Sequence, residues 1–254
     1  MLMKKKWNKK IVATIEARMR SSRLPGKVLL PLAGKPALER LIERLQRSQY
    51  VDTIIVATTT HESDLSIVEL TKKLDIPCYQ GSELDVLGRV LAAAQSVEGE
   101  IIVEITGDCP VADHRVVDRV IEEFFTQGVD YASNMLTPGY ANGFNVQVFP
   151  TALLAAVDQL TQDPIDRVHV SYYIYRHPEK YQLHQVVVDE ACYSPDLRVT
   201  IDERLDYELL SHIYDRLWLC NPDFSAADVV RLLRQYPALA QLNQQVRQKA
   251  PEEG

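Results

Sequence analysis

The sequence predicts an α/β fold, a mixed and mostly parallel sheet flanked by helices, and three observations carry that prediction. Runs rich in β-branched residues alternate with amphipathic stretches along most of the chain. The amphipathic stretches keep the 3.6-residue apolar period of helices that pack on a sheet. The chain has 254 residues of which 46% are hydrophobic, enough to bury one sizeable core.

The first unit is strand, helix, strand. "KIVATI" (10–15) reads as a strand, Leu38, Leu41, Ile42 and Leu45 mark a helix, and "TIIVATT" (53–59) is the next strand. A helix over 62–74 follows, then the run "PCYQG" and a helix opened by Asp85 with Val86, Leu87, Val90, Leu91 and Ala94 on one side. "EIIVEIT" (100–106) reads as a central strand. Asp113 is placed to cap a helix carrying Val116, Val117, Val120, Ile121, Phe124 and Phe125, and Gly128 to stop it. Beyond Tyr131 comes a turn-rich loop and an alternating strand to about 150, then a helix over 151–162. Asp163-Pro164 breaks that helix, and another runs to about Arg176. "YQLHQVVVD" and "DLRVTID" read as further strands, and helices close the chain, the first carrying Leu205, Leu209, Leu210 and Ile213. The expected organisation is a tail over 1–9, a single domain over 10–240 with a loop and strand appendage near 133–150, and a tail over 241–254.

A formal net charge of −7 argues against a nucleic-acid partner and against attraction to an anionic membrane. The basic start is followed by too few apolar residues for a signal segment or a membrane span, so no membrane insertion is expected. Four separated cysteines form no metal or disulfide spacing, as in a cytoplasmic protein with reduced thiols.

Ligands of open α/β sheets sit beyond the carboxyl ends of the strands. Three segments lie there. "EARMRSSRLPGK" (16–27) concentrates arginine, lysine and serine, which suits a polyphosphate cradle and equally suits a solvated basic loop. It is neither a Walker loop nor a GxGxxG turn. "EITGDCP" sets Asp108 two residues past a strand, where a carboxylate holds Mg²⁺ beside phosphates or simply shapes a turn. "RVTIDERLD" sets Asp202 at a strand end, either as a second metal carboxylate or as a helix N-cap.

"ARMRSSRLPGKVLLPLAGKP", followed in order by "VDTIIVATTT", "GSELDVLGRV", "ITGDCP", "DYASN" and "RVTID", resembles the CMP-sugar synthetases, the Kdo and acylneuraminate cytidylyltransferases. The likeness is greatest to the spore-coat polysaccharide biosynthesis protein F branch and spans about residues 10–215. It implies a nucleotide-diphospho-sugar transferase (Rossmann-like) fold and a homodimer. The implied reaction uses CTP and Mg²⁺ to convert a nonulosonic-acid-like sugar acid to a CMP-sugar, in surface polysaccharide or glycan biosynthesis. By position, Arg18, Ser21, Arg23 and Lys27 match nucleotide-binding residues, and Arg89 and Asp85 fall in a segment that encloses the nucleotide. Asp108 and Asp202 match the metal carboxylates; with Lys27 and Arg18 they form the implied catalytic set. Tyr140, Asn142, Asn145, Gln147 and His169 lie where the branch binds its sugar.

The sequence also departs from that branch. Arg20 stands at a usual glycine, and "NGFNVQVF" carries amides where relatives carry acids. Two other readings therefore stand beside a synthetase: a glycosyltransferase of the same fold using a nucleotide sugar, and a catalytically impaired nucleotide-binding protein.

Overall fold

The computed structural model describes residues 7–248. Its strands are β1 (Ile11–Glu16), β2 (Pro31–Leu32), β3 (Lys35–Pro36), β4 (Thr53–Thr59), β5 (Cys78–Gly81), β6 (Ile101–Thr106), β7 (Tyr131–Ser133), β8 (Gln147–Pro150) and β9 (Leu183–Gln185). The helices are α1 (Ala37–Leu45), α2 (Leu65–Lys73), α3 (Val86–Ser96), α4 (His114–Gln127), α5 (Thr151–Leu160), α6 (Pro164–Val168), α7 (Tyr172–Arg176), α8 (Arg204–Leu217), α9 (Ala226–Gln235) and α10 (Pro237–Ala240).

Seven strands form one sheet in the order β5-β4-β1-β6-β8-β7-β9, with β2 and β3 as a separate ribbon. β5, β4, β1 and β6 are mutually parallel, β8 runs antiparallel to both β6 and β7, and β9 is parallel to β7. The mixed, mostly parallel sheet is therefore as expected, with "EIIVEIT" at its centre. Alternation along β1 divides the core: Ile11, Ala13 and Ile15 join α1, α4, α8 and α9 on one face, while Val12 joins α3 and α5 on the other.

Helix boundaries follow local chemistry. Asp113 accepts the Arg115 N–H at 3.0 Å to open α4, and Gly128 closes it at φ 64°. The helix expected up to Arg176 is two short pieces, because the chain turns at Val170, whose φ is 44°. "DLRVTID", expected as a strand, joins no strand ladder; it makes a single bridge, Asn142 to Arg198. Beyond that bridge the Ile201 N–H donates to the Asp108 carbonyl at 2.8 Å.

The two expected tails differ from the structure where it describes them. Trp7 stacks on Phe125 with ring centroids 4.3 Å apart and meets Tyr50 edge-on. At the other end Asn243 and Val246 are buried, so residues 241–248 pack against the domain; residues 1–6 and 249–254 lie outside the described residues.

Candidate active site

The carboxyl ends of β1 and β6 open into a cleft of about 820 Å³. The two ends approach closely because residue 107 is glycine: a Cβ there would stand 2.6 Å from the Glu16 carbonyl oxygen, which the Gly107 N–H instead approaches to 2.9 Å.

The basic loop after β1 is built into the domain. Gly26, left-handed at φ 74°, returns its N–H to the Met19 carbonyl at 2.8 Å, and Asp64 accepts the Met19 N–H at 2.8 Å. Burial acts to raise the Asp64 pKa, but hydrogen bonds from Thr59, Met19 and Thr58 outweigh it and hold the carboxyl below its ordinary range. The loop thus presents Arg18, Ser21, Arg23 and Lys27 to the cleft. Arg20 pairs with Glu83 at 3.3 Å outside the cleft lining, and Glu83 also takes Arg18 at 3.5 Å.

At the centre, Lys27 Nζ donates to Asp108 Oδ2 at 2.7 Å and to Asp202 Oδ1 at 2.8 Å. Arg23 reaches Asp202 at 2.8 Å, and Arg198 binds both Asp202 and Asp206. Burial acts to lower the Lys27 pKa, but the two carboxylates raise it above the ordinary lysine value. Asp108 shows the converse: burial pushes its carboxyl up, and the Lys27 charge overrides that and holds it down.

The N-cap alternative for Asp202 does not hold. The N-cap of α8 is Glu203, and Asp206 at the third helical position accepts the N–H groups of both Asp202 and Glu203 at 2.9 Å, which leaves the Asp202 carboxylate to the cleft. Asp108 follows a turn, with Cys109 N–H on the Thr106 carbonyl at 3.2 Å, and also faces the cleft.

Asp85 is absent from the cleft lining. It caps α3 by accepting the Gly88 N–H at 2.9 Å and is gripped by Arg167 at 2.8 and 2.5 Å, so its carboxylate is committed to the scaffold. Arg89, one turn later, does line the cleft and is 4% exposed.

Tyr140, Asn142, Asn145, Gln147 and His169 also line the cleft. Tyr140 and Phe144 are buried in this chain's own core, which gives those apolar loop residues their cover. Asn145 donates to Asn142 at 3.1 Å, and Asn142 donates to Gln248 at 2.8 Å. The Gln147 carbonyl oxygen is occupied by the hydroxyls of Tyr131 and Ser171, each at 2.6 Å.

Glu16, Glu104 and Gln248 line the cleft without having been expected there. A glutamate inside the otherwise apolar "EIIVEIT" was a usable signal, because a charge on a central strand needs a reason. Nothing local marked Gln248.

The cytidylyltransferase family model matches residues 12–249. The chain belongs to the cytidylyltransferase family. It is 32% identical over 238 residues to the spore coat polysaccharide biosynthesis protein SpsF of Bacillus subtilis, covering 91% of this chain and 96% of that one. It is 30% identical over 187 residues to a 3-deoxy-manno-octulosonate cytidylyltransferase of Chlorobium phaeobacteroides, covering 72% and 70% respectively. A solved cytidylyltransferase from Leptospira borgpetersenii superposes with a TM-score of 0.87 at 29% identity, over 96% of this chain and all of that one. The protein is thus a nucleotidyltransferase with the fold of that family, and this cytidylyltransferase carries its family's match from the first strand to the segment that returns to the cleft. Among the described residues, no helix is long and apolar enough to cross a membrane.

Proposed function

We propose that this cytidylyltransferase transfers CMP from CTP to the anomeric hydroxyl of a nonulosonic-acid-like sugar acid, with Mg²⁺, in surface polysaccharide or glycan biosynthesis. The observation that carries the reading is the Lys27 ammonium seated between Asp108 and Asp202, with Arg23 beside it, in the lining of a cleft large enough for a nucleotide and a sugar. The name of the SpsF relative supports the pathway class.

The residues fit a divalent cation. Two carboxylates converge on one point, where a lysine ammonium now supplies the positive charge. Among the described residues no group of three or more His, Cys, Asp or Glu side chains could hold a metal alone, so phosphate and water oxygens would complete the shell. Bound by Asp108 and Asp202, Mg²⁺ would supply neutralisation of phosphate charge.

The chain's own groups do the rest. Arg18, Arg23 and Lys27 hold the triphosphate, and Lys27, released from its carboxylates, meets the charge that grows on departing pyrophosphate. The wall of Tyr140, Asn142, Asn145 and His169 orients the acceptor. The acceptor oxygen bonds to the α-phosphorus as the bond to the β-phosphate bridge breaks, and the hydroxyl proton is lost to solvent.

The test is pyrophosphate release from CTP and Mg²⁺ with a panel of sugar acids, repeated with UTP and ATP. CTP-dependent release is expected, falling by about 100-fold or more in Asp108→Asn and Asp202→Asn. An inert wild type across the panel, binding CTP but releasing nothing, would instead establish the impaired relative.

A further inference from the structure

Four buried polar atoms on one side of the cleft have no hydrogen-bond partner within the protein: Thr14 Oγ1, Glu16 Oε1, Glu104 Oε2 and Arg89 Nε. They form one cluster. In the parallel β1–β6 register Thr14 lies opposite Glu104 and Glu16 opposite Thr106, and residues two apart on a strand share a face, so the first three atoms come from one patch of sheet. The fourth comes from α3, which packs on that face. Glu104 is 5% exposed, yet it lines the cleft together with Glu16 and Arg89. Ser171 and Gln147 reach the Glu104 carboxyl, and its Oε2 is still left without a donor. A small rotation pairing Arg89 Nε with Glu16 would satisfy those two atoms and leave Glu104 as it is.

Among the described residues neither Glu16 nor Glu104 makes an ion pair, whereas the carboxylates at the phosphate end do. At the phosphate end the cations Lys27, Arg23 and Arg198 face the carboxylates Asp108, Asp202 and Asp206, and Arg18 and Arg20 share Glu83. On the floor Glu16 feels both the Glu104 carboxyl and the Arg89 guanidinium, while Ser171 and Gln147 are the polar groups that reach Glu104. Burial consequently pushes the Glu104 carboxyl up to about 8, and burial together with the Glu104 charge pushes Glu16 well above its ordinary value.

With its carboxyl raised to about 8, Glu104 holds a proton near neutral pH when no ligand is bound; a ligand that carries a positive charge and several donors would draw it into the ionised form and satisfy the open oxygens. A primary ammonium brings both, with three N–H donors. A hydroxyl brings a single donor and no charge, and an acetamide brings one N–H without charge. We infer that Glu104, with Glu16, forms a subsite for a protonated primary amine, so that the sugar accepted by this enzyme carries a free amino group. The inference rests on the acceptor being a sugar, as proposed above, and adds the substituent that the cleft selects.

Direct binding tests it without turnover. Glucosamine and galactosamine, their N-acetyl derivatives, and glucose and galactose are titrated calorimetrically into the full chain with Mg²⁺ and a CTP analogue carrying an α,β-methylene bridge. The amines are expected to bind at least about ten-fold more tightly than their acetylated and hydroxyl counterparts, a preference that Glu104→Gln brings toward unity and Glu16→Gln reduces. Affinity for the nucleotide analogue, measured separately, is expected to change by less than about two-fold in both variants, since neither carboxyl is assigned to the phosphates. Equal affinity across each set of three sugars, including no measurable binding of any, overturns the inference. So does an amine preference that survives both substitutions. Loss of analogue binding by the wild type overturns the nucleotide reading instead, and the two failures are read in separate titrations.

Discussion

Lys27 donates to Asp202 at 2.8 Å although 175 residues separate them, so the lysine fills the point on which the strand-end carboxylates converge. On the proposed reading an ammonium and a divalent cation would compete for the same two oxygens there. Nucleotide phosphates would draw the lysine away and resolve the competition.

Lys27→Met removes the ammonium and keeps much of the stem's volume. Mn²⁺ affinity without nucleotide, followed by electron paramagnetic resonance, is expected to rise, because the Asp108–Asp202 pair is left with a negative excess. CTP affinity is expected to fall by about 10- to 100-fold and CMP affinity by much less, since the lysine is assigned to the outer phosphates. Equal losses for the two nucleotides would place the lysine at the nucleoside end.

Asp85→Ala separates scaffold from site. The side chain caps α3 and anchors Arg167, so thermal unfolding is expected to show a loss of about 1–2 kcal/mol. Nucleotide affinity in the surviving folded protein is expected to stay near wild type. A selective loss of CTP binding at unchanged stability would return Asp85 to the nucleotide site.

Gly143→Ala tests the loop that carries Asn142 and Asn145. Gly143 has φ 121°, and a Cβ would lie 2.7 Å from both the Val199 carbonyl carbon and its oxygen, so the loop and the segment leading to Asp202 must part. A stability loss of about 1–3 kcal/mol, with acceptor affinity reduced more than nucleotide affinity, is the expected result. Unchanged calorimetric stability would show that the loop relaxes freely.

The raised Glu104 carboxyl gives a pH dependence with a definite sign. Its folded pKa of about 8 lies above the ordinary glutamate value of 4.5, so between those values the folded chain binds more protons than the unfolded one. Stability therefore falls as pH rises through that window, and Glu16 acts in the same direction. Melting of the ligand-free protein from pH 5 to 9 is expected to record this fall, and Glu104→Gln to flatten it by up to a few kcal/mol. An identical pH profile in the variant would mean that Glu104 ionises freely in the fold.

Much of the fold was legible because its signals are local. Apolar periodicity located β1, β4, β6 and α4, and Asp113 and Gly128 marked helix ends through hydrogen bonds and φ values that span only a few residues. The loop chemistry at 16–27 and the acids at 108 and 202 were legible for the same reason, since residue type and position after a strand are properties of short segments.

What the tertiary structure alone decided is which distant groups share a charge environment. Asp85 and Asp202 each open or precede a helix in sequence; Arg167 and Asp206 fix the first as scaffold and free the second for the cleft. Gln248 reaches the site because residues 241–248 fold back, and Asn243 bonds Asp206 at 2.7 Å to hold them there. Glu16 and Glu104 become one buried pair only through the β1–β6 register, which joins strands 90 residues apart. The sequence by itself determined the alternation of strands and helices, their caps, and the kinds of group after each strand. Strand order, register and helix docking decided burial and pairing, because Coulombic and desolvation energies depend on separation in space and on access to water.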